Sequence, residues 1–224
     1  MWWRPDRAAW WMALLFSLGS AMFLVPALAA LASSARWIPI TFFSGSIFFT
    51  SAALVQLVTA AELPHRFQAR ARRRPLRPRA WLPATVDWLA AAIQFAGTVM
   101  FNISTFAAMR IALTAHQANV RMWAPNVVGS GCFLISSVLA FANSEHRWLS
   151  WRPRDLDWWI PALNLLGSLA FGVSAIASFV SPATGLAVRG DLANLGTALG
   201  ALGFLIAAVL LVPQADRQLK TWPS

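Results

Sequence analysis

The sequence predicts an all-α membrane protein: six transmembrane helices forming a bundle of three repeated two-helix hairpins, with both termini on one side. Three observations predict it. Of 224 residues, 58% are hydrophobic and 12% charged, against about 25% charged in a soluble domain. Six stretches of at least 22 residues lack Asp, Glu, Lys and Arg. Arginine gathers in alternate connections between those stretches. A soluble fold of this length has too much surface for so few charges, so the apolar excess needs lipid as its solvent.

The charge-free windows are 8–35, 37–61, 88–109, 122–144, 158–188 and 192–215. A helix rises about 1.5 Å per residue, so about 20 residues cross a hydrocarbon core about 30 Å thick. The apolar content is continuous, unlike the alternating segments of roughly ten residues in a membrane barrel. Helices are then the remaining way to satisfy the backbone in lipid. The expected span cores are 10–31, 38–60, 87–108, 123–143, 157–180 and 191–212. The first run is too long for a signal-peptide core and reads as an uncleaved span.

Orientation follows from the basic residues of short connections. Fourteen fall on one side: Arg4 and Arg7; Arg66, Arg70, Arg72, Arg73, Arg74, Arg77 and Arg79; Arg147, Arg152 and Arg154; Arg217 and Lys220. Four fall on the other: Arg36, Arg110, Arg121 and Arg189. The rich side is the expected cytoplasmic one, so both termini are expected inside. The 13 tryptophans lie at span ends or in connections, where an amphipathic ring sits at headgroup depth. Seventeen arginines against one lysine, with abundant alanine, point by composition to a GC-rich bacterial genome. The expected location is therefore a bacterial cytoplasmic membrane.

The odd-numbered spans share a pattern. Trp10, Trp88 and Trp158 each precede a glycine by nine residues, giving Gly19-Ser20 with Phe23, Gly97-Thr98 with Phe101, and Gly167-Ser168 with Phe171. The even-numbered spans carry Gly45-Ser46 with Phe49, Gly129-Ser130 with Phe133, and Gly196-Thr197 with Gly200 and Phe204. One two-helix unit is thus expected three times in a single transmembrane domain, at about 1–62, 80–146 and 150–215. Each unit begins and ends inside, so the three relate by rotation about the membrane normal, not by the inversion common in transporters. Glycine opens a notch for close helix approach, and Phe one turn later can fill a neighbour's notch. The basic connection 64–79 carries Pro64, Pro75 and Pro78 and is expected to be irregular.

The Gly-[Ser/Thr]-x-x-Phe hairpin resembles the YrhK-like domain family, and the chain as a whole resembles uncharacterised actinobacterial integral membrane proteins with such a domain. The resembling residues are the run 41–50, Asp87-Trp88, Gln94-Phe95-Ala96-Gly97-Thr98, the run 101–105, Pro182-Ala183-Thr184-Gly185 and Asn194-Leu195-Gly196-Thr197. The resemblance implies a membrane location and carries no activity or functional residue.

Amides inside spans are costly and often functional. Gln94, Asn126 and Asn164 each stand three residues before a glycine, and Asn102 is near the middle of the third span. These four are the candidate internal polar site. Gln56 and Asn194 lie nearer span ends. Spacing puts the first three on the glycine face, where interhelical hydrogen bonding and a polar path compete as readings. Asp87, Asp157 and Asp191 precede helical runs and are expected to cap them. Arg70, Arg72, Arg73, Arg74, Arg77 and Arg79 are candidates for contact with anionic lipid headgroups; nucleic acid is not an expected partner.

Enzymatic chemistry has no footing in the sequence. His65, His116 and His146 stand at or beyond span ends on two sides, without paired carboxylates or a nucleophile–base set. Cys132 is the single cysteine and reads as a packing residue. No cofactor motif is expected, because no glycine run follows a strand or opens a phosphate loop. The leading reading is a non-enzymatic packing, interaction or membrane-organising bundle, with self-association or a membrane partner left open. The alternative is a small-solute transporter or channel lined by Asn, Gln, Ser and Thr. The topology is tested by cysteines placed singly at 70 and 115 in a Cys132→Ala background. An impermeant maleimide on intact cells is expected to label position 115 alone, and equal labelling of both would refute the six-span reading.

Overall fold

A computed structural model describes residues 5–72, 85–110, 112–145 and 154–220. The described residues form α1 (Pro5–Ala29), α2 (Trp37–Arg72), α3 (Val86–Ala108), α4 (Ala115–Ala118), α5 (Ala124–Glu145), α6 (Leu156–Ala177) and α7 (Gly190–Lys220). A π-helical turn, Asn119–Trp123, joins α4 to α5, so these three segments make one span. Six helices are long and apolar enough to cross a membrane.

Several ends differ from expectation for identifiable reasons. The fourth span starts eight residues early, at Ala115 rather than 123. Its first turn is a capping box in which Thr114 Oγ1 accepts from Gln117 N and Gln117 Oε1 accepts from Thr114 N, both at 3.2 Å. The π turn sits directly before Pro125. Proline has no N–H and its ring crowds the carbonyl four residues back, so the preceding turn widens. Helix α2 continues to Arg72, so the first part of 64–79 is helical, not irregular. Pro64 removes only one ladder bond, and Gln68-Ala69-Arg70-Ala71-Arg72 are good helix formers; residues 73–79 lie outside the described residues.

The expected caps also shift. Helix α3 is capped by Thr85, whose Oγ1 accepts from Trp88 N at 3.2 Å. Helix α6 is capped by Asp155, which accepts from Asp157 N at 3.1 Å. Asp87, Asp157 and Asp191 sit inside the first turns instead, where a carboxylate still meets the positive helix end. Two of them reach across to a neighbour. Asn143 Nδ2 donates to Asp87 at 2.7 Å, and Gln214 Nε2 donates to Asp157 at 2.7 Å.

The spans close into a ring. Each packs on the helices before and after it in the chain, and α7 packs on α1. Within each hairpin two glycines meet face to face. A Cβ on Gly19 would lie 3.1 Å from the Gly45 carbonyl oxygen and 3.0 Å from the Phe49 ring; one on Gly45 would lie 3.2 Å from the Gly19 oxygen and 2.9 Å from the Phe23 ring. Gly97 and Gly129 meet in the same way, each 3.0 Å from the other's oxygen and from the partner helix's phenylalanine, Phe133 or Phe101. In the last hairpin the pair is Gly167 and Gly200, with Phe204 at 2.9 Å and Phe171 at 2.8 Å.

This revises the sixth motif. The glycine that meets Gly167 is Gly200, four residues before Phe204, and its small neighbour is Ala201 in place of a hydroxyl residue. Gly196 packs one turn away, on Ser174 and the Ala170 carbonyl. The residue after each pairing glycine is then Ser20, Ser46, Thr98, Ser130, Ser168 or Ala201, and none is more than 2% exposed.

These contacts predict a split among the glycines. Gly45→Ala and Gly200→Ala overpack an intrahairpin contact and are expected to cost about 1–3 kcal/mol each. Gly131→Ala and Gly172→Ala point into open space and are expected to be neutral or to stabilise by about 0.5–1 kcal/mol through helix propensity. Reversible unfolding in bicelles measures both pairs; equal losses at all four positions would contradict the packing described.

Candidate functional site

Each pairing glycine places a phenylalanine one turn further along, and the six rings converge on the bundle axis. Phe23, Phe101 and Phe171 come from the odd-numbered spans, with centroids 5.8–6.2 Å apart. Phe49, Phe133 and Phe204 come from the even-numbered spans, with centroids 5.7–6.4 Å apart. Neighbouring spans run antiparallel, so the two sets approach from opposite sides of the glycine level. Helical side chains lean toward their own N-terminus, which brings both triangles back to that level. The sets touch through Phe23–Phe49 at 5.4 Å, Phe101–Phe133 at 5.0 Å and Phe171–Phe204 at 5.7 Å. The remaining space is a cavity of about 10 Å³ lined by Phe23, Ser46, Phe49, Phe101, Phe133 and Phe171. That is room for at most about one water, and an apolar lining keeps such a space dry.

The four amides proposed as an internal site do not meet one another there. Asn102 lies in the α2–α3 seam, where its Nδ2 donates to Thr50 Oγ1 at 2.8 Å while Thr50 donates to the Ser46 carbonyl at 2.9 Å. Its Oδ1 is buried and accepts nothing. Gln94 turns the other way, into the α3–α5 hairpin, where Ser136 Oγ is 3.2 Å from its Oε1. Asn126 joins α5 to α6, donating to Ser178 Oγ at 3.3 Å. The main-chain carbonyl of Asn164 accepts from Ser168 at 2.8 Å and from Ser137 at 3.3 Å in the α5–α6 seam. Three of the four side-chain amides thus bond across helix seams, and Asn164 takes part through its main-chain carbonyl. Gln56 Oε1 is a second buried acceptor without a partner. Arg70 and Arg72 stand on the last turn of α2, and Arg73, Arg74, Arg77 and Arg79 lie outside the described residues.

Hydroxyls carry much of the cross-linking, and of the three serines that follow only Ser136 escaped the sequence reading, which placed Ser104 and Ser174 seven residues after their glycines. Ser104 donates to the Met122 carbonyl at 2.9 Å, Ser136 to the Ala90 carbonyl at 2.8 Å, and Ser174 to the Ala193 carbonyl at 2.7 Å. Each of these serines stands seven residues after its pairing glycine, and each accepting residue seven before the partner glycine. That regular offset is the signal that could have found Ser136. In α1 the same offset falls on Pro26, which has no donor. At the far end of the bundle from the termini, Asn119 clasps the connection after α6. Its Nδ2 donates to the Val180 carbonyl at 2.8 Å and its Oδ1 accepts from Val180 N at 2.9 Å. Trp123 stacks edge-on with Phe179 beside it, centroids 5.1 Å apart.

No family model, curated protein or solved structure matches the chain.

A hydrogen bond between membrane helices contributes about 0.6 kcal/mol on average. Asn119→Ala loses two bonds and leaves both polar groups of Val180 to find water. It is expected to raise protease cleavage in 181–187 several-fold while costing only about 1 kcal/mol of global stability. Unchanged cleavage would mean the clasp does not hold that connection.

Proposed function

We propose that this chain is a non-enzymatic scaffold of a bacterial cytoplasmic membrane, a bundle of three copies of one hairpin that organises lipid or a membrane partner around it. The observation that carries the reading is the axis filled by six phenylalanines, with a residual cavity of about 10 Å³. A bundle that conducts solute along its axis needs a continuous wet path, and here every span contributes a bulky apolar ring to the place where that path would run. The copying is supported by the recurrence of glycine pair, buried small residue and inward phenylalanine in all three hairpins. Orientation rests on the fourteen basic residues of one side against four of the other. The YrhK-like resemblance is consistent with this reading and adds no chemistry to it.

The basic residues Arg70, Arg72, Arg73, Arg74, Arg77 and Arg79 belong to the same proposal, as the contact with anionic headgroups. Each basic residue near a charged leaflet contributes about 1 kcal/mol. A channel or transporter lined by Asn, Gln, Ser and Thr is the competing reading, and the amides' separate seams weigh against it.

Reconstituted proteoliposomes decide between the two. Efflux of entrapped ions, amino acids and sugars is expected to match that of empty vesicles; saturable, solute-selective flux would overturn the scaffold. The lipid contact is tested by replacing all six of those arginines with Gln. Retention of phosphatidylglycerol adducts in native mass spectrometry is expected to fall at least threefold, and undiminished adducts would remove the assignment.

A further inference from the structure

The three hairpin connections at the end of the bundle away from the termini differ in length. They are 30–36, 109–114 and 178–189, or 7, 6 and 12 residues. The surplus in the third is folded. Ser181 N donates to the Leu186 carbonyl at 2.9 Å and Val188 N to the Phe179 carbonyl at 2.8 Å, pairing Val180 with Ala187 in an antiparallel bridge. Gly185, at φ 68°, turns the chain between the two limbs. Asn119 holds the first limb through both main-chain polar groups of Val180. The second limb, 186–188, is an ordered edge, and it is apolar. Leu186 is 70% exposed and Val188 57%. They flank the bridging Ala187, so they share one face with each other and with Phe179, whose ring meets Trp123.

The depth of this face follows from its base. Arg189 N donates to the Ala177 carbonyl at 3.1 Å, so residue 189 stands level with the end of α6. Helix α6 has 22 residues, about 33 Å at 1.5 Å per residue, against a hydrocarbon core about 30 Å thick. Its end is therefore at the hydrocarbon boundary. An extended chain advances about 3.3 Å per residue. Val188 then lies about 3 Å from that level and Leu186 at most about 10 Å, beside a headgroup layer roughly 5–8 Å deep. The chain has no charge from 158 to 188, a run about ten residues longer than a crossing needs. Arg189 ends it. Its side chain is exposed and makes no ion pair among the described residues, Asp191 included.

We propose that this hairpin anchors the bundle in the leaflet away from the termini, with Leu186 and Val188 at the boundary of headgroups and acyl chains and Arg189 on a phospholipid phosphate. The lateral neighbour of a span end is lipid, and lipid offers both chemistries this edge lacks. Acyl chains remove the exposed apolar pair from water. Phosphate complements a guanidinium and takes two parallel hydrogen bonds from it, while the arginine stem lies along apolar surface. The clasp by Asn119 carries the anchor to the second hairpin, so one lipid contact fixes the depth of two hairpins. The contact is at the opposite end of the bundle from Arg70 and Arg72. It goes beyond the scaffold reading, because a channel would be anchored equally well.

The test uses the full chain in nanodiscs of phosphatidylethanolamine and phosphatidylglycerol, with Cys132→Ala and one nitroxide at Leu186→Cys, Val188→Cys or Ser33→Cys, the last exposed in the first connection. Collision with lipid-soluble oxygen and with an aqueous nickel chelate reads depth. Nickel accessibility at 186 and 188 is expected to be at least threefold below that at 33, with oxygen accessibility retained. Nickel accessibility equal to that at 33 would overturn the anchor. Shielding from both reagents would also overturn it, and would place a second copy of the chain over the face. Arg189→Gln is expected to raise nickel accessibility at 188 at least twofold, and Arg189→Lys to restore it; a label that Arg189→Gln leaves unmoved would refute the phosphate contact. Label depth bears on this inference alone, and solute flux on the scaffold reading alone.

Discussion

Three glycine pairs set the distance on which everything else in the bundle depends. Gly19 with Gly45, Gly97 with Gly129, and Gly167 with Gly200 bring two backbones so close that a single added Cβ would stand 2.9–3.2 Å from the opposing carbonyl oxygen. Lipid tails are as apolar as leucine, so the hydrophobic effect does not press membrane helices together. Dispersion does, and it needs close approach over many atoms. The glycines permit that approach. The phenylalanines one turn on then fill the axis, and the edge-to-face contacts among them each add about 0.5–1.5 kcal/mol.

Hydrogen bonds are layered on this packing unevenly. The α3–α5 and α6–α7 hairpins are stapled by Ser104, Ser136 and Ser174, whereas the first hairpin has Pro26 and Ala52 at the equivalent offset. At about 0.6 kcal/mol per bond, the difference between a stapled and an unstapled hairpin is only one or two kcal/mol. That is small against the packing at the glycine pairs, which recur in each hairpin.

The polar residues illustrate why burial alone does not make a site. Asn102, Asn126, Gln94 and Asn164 occupy three different interfaces; the side chains of the first three pair with hydroxyls of adjacent helices, and Asn164 accepts from Ser137 through its main-chain carbonyl. An amide in hydrocarbon must find a partner or strand its dipole, and the nearest helix supplies one. The orphaned oxygens of Asn102 and Gln56 are the incomplete cases, both on or beside helices of the first inter-hairpin seam.

The sequence by itself determined the spans and the rhythm of glycine and phenylalanine. Freedom from charge over 22 residues is a one-dimensional property, and hydrocarbon thickness reads it directly. It also announced the small polar residues, because their cost in lipid is independent of their neighbours. What only the tertiary structure decided was partnership. Spacing could not say that Gly200 rather than Gly196 meets Gly167, since both share one face of α7 and the choice depends on the register of the opposing helix. Spacing could not say that Thr85 and Asp155 cap where Asp87 and Asp157 were expected, since caps depend on where the chain turns into the helix. Nor could it say that the axis is filled: each phenylalanine was visible, but six rings converge only because a ring of antiparallel helices brings opposite chain directions to one depth.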